Sequence, residues 1–577
     1  MTKIIGELTL IHDSGIFVLD KNKDKPFALT RERITRHKHD IGLPYEPLEF
    51  LNSLNSMKDE KVVIAHGGRY VPFPLYWYFT DRNKHSKELR ENGSIRNKID
   101  NSMLRHAFNF AETSTLNVKP VEWFNNFLSK QYLRYKTPVF KNAKWEMYDH
   151  HTCHAASAYY FSNFDKSCVV TMDAAGDRYC SKVFIGKGDD LEYINGTSAM
   201  ESLGYVYSFF TEALGFIMNS DEGKVEALAA YGNPNNKLYK KMKDKIYIDG
   251  LKLRVKKPFN DQTANVMDKL YYPLVKQYKK EDCAAAVQRI LEEVGIDLVR
   301  NCIDEFGIKK FSFAGGNFAN VIMNMRIFEE SGLKQMYVFP AMGDDGTAAG
   351  AALLSALDKG WNIKRYTEDE MPYYGPSYNQ RDIKNALKQF NEVTYEYIGD
   401  GWPEMTAEMV SKGHIMSIYH GNMEFGPRAL GNRSVLADPR NLKTKDKINN
   451  TIKRRHWFQP FCPSILESER RRLFEKSYKN KHMTCAFKVK EEYRREIPAV
   501  MHIDGTARPQ FVEKNDNVNY YRFLRELKKL TGYGVVLNTS FNLHGRTIVM
   551  TPEHALRDFI DCGLDAMMLE GWLVKRK

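Results

Sequence analysis

The sequence predicts an α/β protein of two domains, and three observations carry that expectation. Its 577 residues exceed what a single hydrophobic core normally serves. Through the first two-thirds, short β-branched runs end in Asp-Gly or Gly-Gly turns and are followed by helical patterns. Around 356–378 the chain becomes polar and then Pro/Gly-rich, and the remainder carries a stretch that sets arginines among glycines and prolines. Hydrophobic residues at 43% and charged residues at 27% then place it among ordinary globular proteins rather than disordered or fibrous ones.

The elements follow in order. KIIGELTLIHDSGIFVLD predicts a hairpin with HDSG at its bend. DHHTCHAASAYYFS predicts a helix that projects His150 and His154 from one face at an i, i+4 spacing and turns His151 elsewhere. SCVVTMDAAGD reads as a strand ending at Asp173. KKFSFAGGNFANVIMNMRIFEESG reads as a strand, a diglycine turn at Gly315 and Gly316, and a helix with Asn320 and Asn324 on its first turns. MYVFPAMGDDGTAAGAALLSAL gives a strand, an acidic loop carrying Asp344 and an alanine-rich helix. Strands of this kind set backbone N–H groups and carboxylates at the carboxyl edge of a sheet, where α/β folds bind nucleotides. The pattern is similar to the ATP-binding core of actin and Hsp70. A polar, then Pro/Gly-rich stretch through 356–378 predicts a boundary, with domains at 1–360 and 373–577. No repeat at a fixed period is visible.

The last domain carries an anion pocket by composition. Gly421 to Pro463 sets Arg428, Arg433 and Arg440 among glycines and prolines and continues to Lys453, Arg454 and Arg455. Guanidinium forks and ammonium charges suit phosphate and carboxylate oxygens. HIDGTARPQFV adds Arg508, and VVLNTSFNLHGRTIV adds Asn538, Thr539, Ser540 and Asn542 just past a predicted strand end. In the first domain His150, His154, Asp173 and Asp344 form a donor set that suits iron, manganese or zinc. Glu222 and Lys224 either meet the ribose and phosphates of a nucleotide or form a surface ion pair.

The formal net charge of +13 favours anionic substrates, nucleic acid included, or else a basic surface kept for solubility. Residues 69–100 fit the first view. Tyr76, Trp77, Tyr78 and Phe79 precede Arg82, Lys84, Lys87, Arg90, Arg96 and Lys98, an arrangement that stacks on bases and holds phosphates, unless the aromatics enter a core. No apolar run is long enough to span a membrane, and the N-terminus lacks a signal peptide's order. The eight cysteines include no CxxC pair, so a cytoplasmic protein with reduced thiols is expected.

Together these motifs resemble the NodU/CmcH family of O-carbamoyltransferases. The matching stretches are HDSG, ERITRHKH, HHTCHAASAYY, MDAAGD, DEGKVEALAAYGNP, AGGNFANVIMN, GDDGTAAGAAL, MEFGPRALGNRSVLADPR, IKRRHWFQPFCPS, HIDGTARPQ and LNTSFNLHGRTIV. The resemblance implies a first domain similar to Kae1/TsaD and a second, α+β domain similar to YrdC. It implies that carbamoyl phosphate and ATP give a carbamoyl-adenylate in the second domain, and that the intermediate passes internally to the metal-bearing first domain, where an acceptor hydroxyl is carbamoylated. By motif, Arg428, Lys453, Arg508, Asn538 and Ser540 would hold carbamoyl phosphate or the adenylate. His150, His154, Asp173 and Asp344 would hold Fe(II) or another divalent transition metal, Mn or Zn. Asp173, Lys224, Gly315, Gly316 and Asn320 would meet ATP and its Mg. His12 of HDSG would stand near the acceptor as a base, completing a catalytic set with Arg428, Lys453 and Arg508.

Three departures bear on substrate choice. Gln459 and Cys462 stand where the family reads close to FRPFAPS, HDSG runs on into bulky IFVLD, and the 69–100 segment is not a family hallmark. The acceptor is a hydroxymethyl pyrimidine in DNA or a nucleotide, or a small hydroxylated metabolite such as a sugar or antibiotic precursor. A tRNA threonylcarbamoyl-adenosine synthesis would share both folds, but HHTCH lacks the HxEGH form that it uses. A non-enzymatic nucleic-acid-binding module would leave the metal and phosphate motifs unexplained. A homodimer stays open.

Overall fold

The computed structural model describes residues 3–8, 13–40, 44–54, 62–68, 127, 131, 143–263, 265–369 and 371–577. They group into two compact units. The first comprises Met1–Asp24, Ile41–Ala319 and Arg326–Tyr366, and the second Lys25–Asp40, Asn320–Met325 and Thr367–Lys577. Among the described residues no helix is long and apolar enough to cross a membrane.

The first unit contains one strand plan used twice. Lys3–Leu8 pairs antiparallel with Gly15–Asp20 and parallel with Val62–His66, which is parallel to Lys144–Met147. Lys166–Gly176 likewise pairs antiparallel with Tyr179–Lys187 and parallel with Lys310–Ala314, which is parallel to Gln335–Val338. Asp190–Ser198 extends the second sheet antiparallel to Tyr179–Lys187. The sequence shows no fixed-period repeat because loops of very different length separate corresponding strands. The buried strands are nearly continuous apolar runs, as parallel strands covered on both faces require.

Two helices bring the sheets' functional edges together. His150–Tyr160 is capped by Asp149, whose carboxylate accepts the Thr152 N–H, and ten of its eleven residues are buried. Thr347–Leu357, TAAGAALLSAL, packs against that helix and against Lys3–Leu8. Its small residues permit the close approach. A Cβ on Gly350 would stand 1.8 Å from the Cys153 carbonyl oxygen, so no larger residue fits there.

The second unit is built on a mixed eight-stranded sheet in the order Val393–Tyr397, Trp572–Arg576, Ala566–Leu569, Met416–Tyr419, Arg433–Ala437, Val535–Ser540, Cys462–Leu466, Gln510–Val512. Helices Trp402–Ser411 and Val518–Thr531 pack on each other, and Tyr520, Phe523, Leu524 and Leu527 join Leu436, Leu466, Val512 and Val536 in one buried cluster. Burial of each such side chain contributes roughly 1.5–3 kcal/mol. Asn538 and Ser540 lie within the Val535–Ser540 strand rather than beyond its end.

Candidate functional site

In the first unit, His150, His154, Asp173 and Asp344 converge. One donor atom from each lies within 4.8 Å of the others. His154 Nε2 is 3.2 Å from Asp173 Oδ2 and 3.4 Å from Asp344 Oδ1, and His150 Nε2 is 3.4 Å from the same Asp344 oxygen. The helix register sets the two imidazoles on one face, with ring centres 4.7 Å apart. His151 turns away, its ring nitrogens 2.8 Å from Thr171 Oγ1 and 2.9 Å from the Tyr179 carbonyl.

Asp173 leaves the ladder at a bulge between Met172 and Gly176, which re-aims its carboxylate. Its Oδ1 accepts the Ala174 N–H at 2.6 Å and its Oδ2 the Gly316 N–H at 3.1 Å. Gly315 donates its own N–H to the Met342 carbonyl. At the other end of the bulge, a Cβ on Gly176 would stand 2.0 Å from His150 Cδ2, so only glycine leaves that ring its place. Asp344 opens a short 3-10 turn into Thr347–Leu357, and Thr347 Oγ1 donates to its carbonyl.

Burial opposes protonation of His150, yet the Asp344 carboxylate, with Asp173 and Asp177 behind it, wins and lifts its pKa to about 9. His154 is raised as well, burial again being outweighed by Asp173 and Asp344. Both Nε2 atoms are buried and, though 3.2–3.4 Å from those carboxylate oxygens, make no well-aligned hydrogen bond. Two imidazoles and two carboxylates around such orphaned nitrogens fit a divalent cation, and this donor set suits iron, manganese or zinc alike.

The other residues expected near a nucleotide are engaged locally. Lys224 Nζ is 2.7 Å from Asp221 Oδ2. Glu222 accepts from Ser208 Oγ and the Asn219 N–H. Asn320 Oδ1 accepts the Met323 N–H, and Asn320 clusters with the second unit rather than with Gly315 and Gly316. Asn324 Nδ2 donates to the Thr484 carbonyl. His12 and the 69–100 segment lie outside the described residues. A buried pair that the sequence did not suggest closes the first sheet's carboxyl edge: His66 Nδ1 stands 2.6 Å from Glu7 Oε1.

The second unit places its polar residues on one sheet face. Register pairs Leu436 and Cys462 with Asn538, Ser434 with Ser540, and Ser464 with Gln510. Where Val536, Leu466 and Val512 end, this face continues as Ser434, Ser464, Gln510, Asn538 and Ser540. Asn538 Nδ2 donates to Ser464 Oγ at 2.8 Å and to the Ala429 carbonyl at 3.1 Å, next to Arg428. Lys453 is buried, and its Nζ donates to the Ser540 carbonyl at 2.6 Å, Ser540 Oγ at 3.1 Å, the Asn542 carbonyl at 3.1 Å and Asn542 Oδ1 at 2.8 Å. All four acceptors are neutral. Burial, then the Arg455 charge, hold Lys453 well below the usual ammonium range.

Arg508 donates from Nε and Nη2 to Cys462 Sγ at 3.1 and 2.8 Å. The Arg455 guanidinium lies 5.2 Å over the Phe461 ring. Its pKa is lowered by burial and by Arg508, with Cys462 opposing. Among the described residues neither arginine meets a carboxylate.

Two arginines expected in the pocket stand elsewhere. Arg433 is fully buried, stacks 3.6 Å over Tyr419, and spends its guanidinium on the carbonyls of His420, Gly421, Asn432 and Pro376. Arg440 forks onto Asp438. A residue with no obvious sequence signal organises the loop that leads into Arg433. The buried Glu424 carboxylate accepts the N–H groups of Leu430, Asn432 and Arg433. Glutamate ahead of a glycine-rich turn reads as surface charge until the fold buries it.

Comparison with known proteins gives these two clusters a context. The model for the carbamoyltransferase N-terminus matches residues 3–353, and that for the carbamoyltransferase C-terminus matches residues 407–576. The chain belongs to the carbamoyltransferase family, of the NodU/CmcH type, and carbamoyl transfer is its class of reaction. An uncharacterized protein of Methanocaldococcus jannaschii is 44% identical over the whole of both chains. Nodulation protein NolNO of Sinorhizobium fredii is 32% identical over 74% of this chain and 63% of its own length. Among solved structures, full-length HypF in a phosphate- and nucleotide-bound form overlaps 63% of this chain and 56% of its own at 13% identity, with a TM-score of 0.32. An overlap that weak fixes neither fold nor ligand.

Proposed function

We propose that this chain is an ATP-dependent O-carbamoyltransferase that draws its carbamoyl group from carbamoyl phosphate. The observation that carries the reading is the polar end of the second unit's sheet face, where Lys453, Arg455 and Arg508 gather with neutral acceptors and no carboxylate partner among the described residues. Three cationic groups left uncompensated favour a bound polyanion. Asn538 and Ser540 line the same face, and Arg428 adjoins it through Ala429. A YrdC-like role for this unit belongs to the same reading.

The chemistry requires activation because a carbamate's nitrogen donates into its carbonyl and leaves it a poor electrophile. Carbamoyl phosphate, ATP and water give carbamoyl-adenylate, phosphate and pyrophosphate. The acceptor oxygen then attacks the carbamoyl carbon, AMP departs, and the hydroxyl proton passes to a base, for which His12 is the candidate. A divalent cation held by His150, His154, Asp173 and Asp344 would polarise the carbamoyl carbonyl or neutralise the departing phosphate. Asp173, Gly315 and Gly316 are the residues of that unit to meet nucleotide phosphates, with Mg.

For the acceptor, the charge of +13 favours a hydroxyl on a polyanion, with a hydroxymethyl pyrimidine in DNA the first to test and a neutral sugar the second. The experiment incubates the chain with carbamoyl phosphate, ATP and metal, follows pyrophosphate, and seeks the mass of an added carbamoyl group on each acceptor. Pyrophosphate release that needs both substrates is expected, and its absence overturns the adenylate step. A DNA acceptor predicts affinity falling with salt, with a log-log slope of about −0.9 per neutralised phosphate on duplex. Salt-insensitive turnover of a neutral sugar overturns it.

A further inference from the structure

Cys462 stands apart from the other cysteines of the chain. All eight are free and buried, and burial pushes the Cys283 and Cys562 thiols up to about 12. A thiol so placed is inert. The sulfur of Cys462 instead receives both N–H groups of the Arg508 fork. A guanidinium can only donate, so this sulfur acts as the acceptor.

A further observation points to a ligand at the same place. Asn538, opposite Cys462 in the ladder and 2% exposed, keeps its Oδ1 without a hydrogen bond. Tyr520, packed against this face from the Val518–Thr531 helix, turns its hydroxyl to Ser464 and Asn538. An orphaned polar atom this deep calls for an occupant. Arg508 has no partner but Cys462 among the described residues, so in the free protein the sulfur holds the donors that an incoming phosphate must take.

We propose that Cys462 is a modification site inside the anion pocket: hydrogen peroxide oxidises its sulfur to a sulfenate that keeps the Arg508 fork and shuts the pocket until a dithiol reduces it. In that step Sγ attacks one peroxide oxygen, the S–O bond forms as the O–O bond breaks, and the departing hydroxide takes a proton to become water. A dithiol reverses it through a mixed disulfide, the sulfenate oxygen leaving as water and the dithiol ending as its own disulfide. The inference rests on the pocket assignment above, and the test separates the two.

The full chain is treated with peroxide, trapped with a sulfenate-selective cyclic dione and mapped by mass spectrometry. Cys462 is expected to be labelled before the other seven cysteines. Inorganic phosphate at about ten times its dissociation constant should slow labelling by about tenfold, since it holds the same donors. Arg508→Gln should slow labelling too. Peroxide should lower pyrophosphate release in the unaltered chain, reversibly with a dithiol, whereas Cys462→Ala should keep whatever rate it has before treatment. First labelling of another cysteine, indifference to phosphate, or equal peroxide sensitivity in Cys462→Ala overturns the proposal. Labelling and phosphate protection need no turnover, so their success without any carbamoyl phosphate-dependent pyrophosphate release would overturn the proposed function and leave the thiol site standing.

Discussion

The histidine–aspartate cluster of the first unit and the lysine–arginine cluster of the second are electrostatic opposites built by opposite means. In the first, two carboxylates surround two buried imidazoles and raise His150 to about 9. In the second, burial and neighbouring cations depress Lys453 against a weaker pull from Cys562 and Asp558, and among the described residues no carboxylate pairs with it. In the first, carboxylates favour protons where a cation belongs, and in the second, burial and like charge oppose a proton where an anion belongs. Each cluster is therefore poised for a ligand whose charge relieves it, and the contrast teaches that charge type can be read from the direction of a buried group's shift.

The strongest way to break this division is to remove the imidazoles. His150→Ala with His154→Ala should lower metal content and carbamoyl transfer by about a hundredfold or more, since loss of even an outer-shell partner costs 10–100-fold. Pyrophosphate release should persist. Equal loss of both activities in a folded protein would merge the two clusters into one function.

Next in size is Arg508→Ala. Its charge-assisted hydrogen bonds to an anion are worth roughly 1.5–3 kcal/mol, so carbamoyl phosphate affinity should fall about tenfold to a hundredfold while metal content stays unchanged. Titration calorimetry and metal analysis on one preparation read both.

Proton linkage sharpens the contrast further. His150 is protonated below about pH 9, and a metal needs its neutral nitrogen, so cation uptake at neutral pH should release about one proton and tighten as pH rises toward 9. An anion beside Lys453 should favour its charged form against burial. Phosphate binding at about pH 8, where the ligand is already a dianion, should therefore release no proton and should weaken as pH rises through the Lys453 titration. Calorimetry in buffers of different ionisation heat measures both, and two shifts of the same sign would end the comparison. The smallest effect belongs to Arg440→Ala. Its half-exposed fork is satisfied by Asp438, so pyrophosphate release should change by less than about 1 kcal/mol, whereas a larger loss would return Arg440 to the pocket.

How much of this was legible varies with the physics. The first cluster was readable because its geometry is local. An i, i+4 histidine pair on a helix and aspartates at strand ends converge whenever the strands lie in one α/β core. The anion pocket was legible only as a composition. Arg428, Arg433 and Arg440 look alike in sequence, and what separates them is which carbonyls and carboxylates the fold delivers. His420, Gly421, Asn432 and Pro376 claim Arg433 only after the loop closes on Glu424. Arg455 and Asn542 sat inside quoted motifs, yet their place beside Arg508 and Lys453 depends on pairing between strands far apart in the chain, such as Cys462 with Asn538. The doubled strand plan was hidden because loops, not strands, set the spacing.

The chain also visits its second unit more than once. Lys25–Asp40 contributes Arg33, which donates to the Gly426 carbonyl, and Arg36, which pairs with Asp558 at 2.5 Å. Val321 accepts the Ala486 N–H. A gene fragment cut at the Tyr366–Thr367 break would leave Asp558 with Arg546 as its one arginine partner among the described residues and would strip Arg33 from the Gly426 carbonyl, so a clean cut there costs the second unit native contacts. On the ribosome the same arrangement makes one of the earliest segments wait for the last strands to emerge, which ties completion of the second unit to the full length of the message.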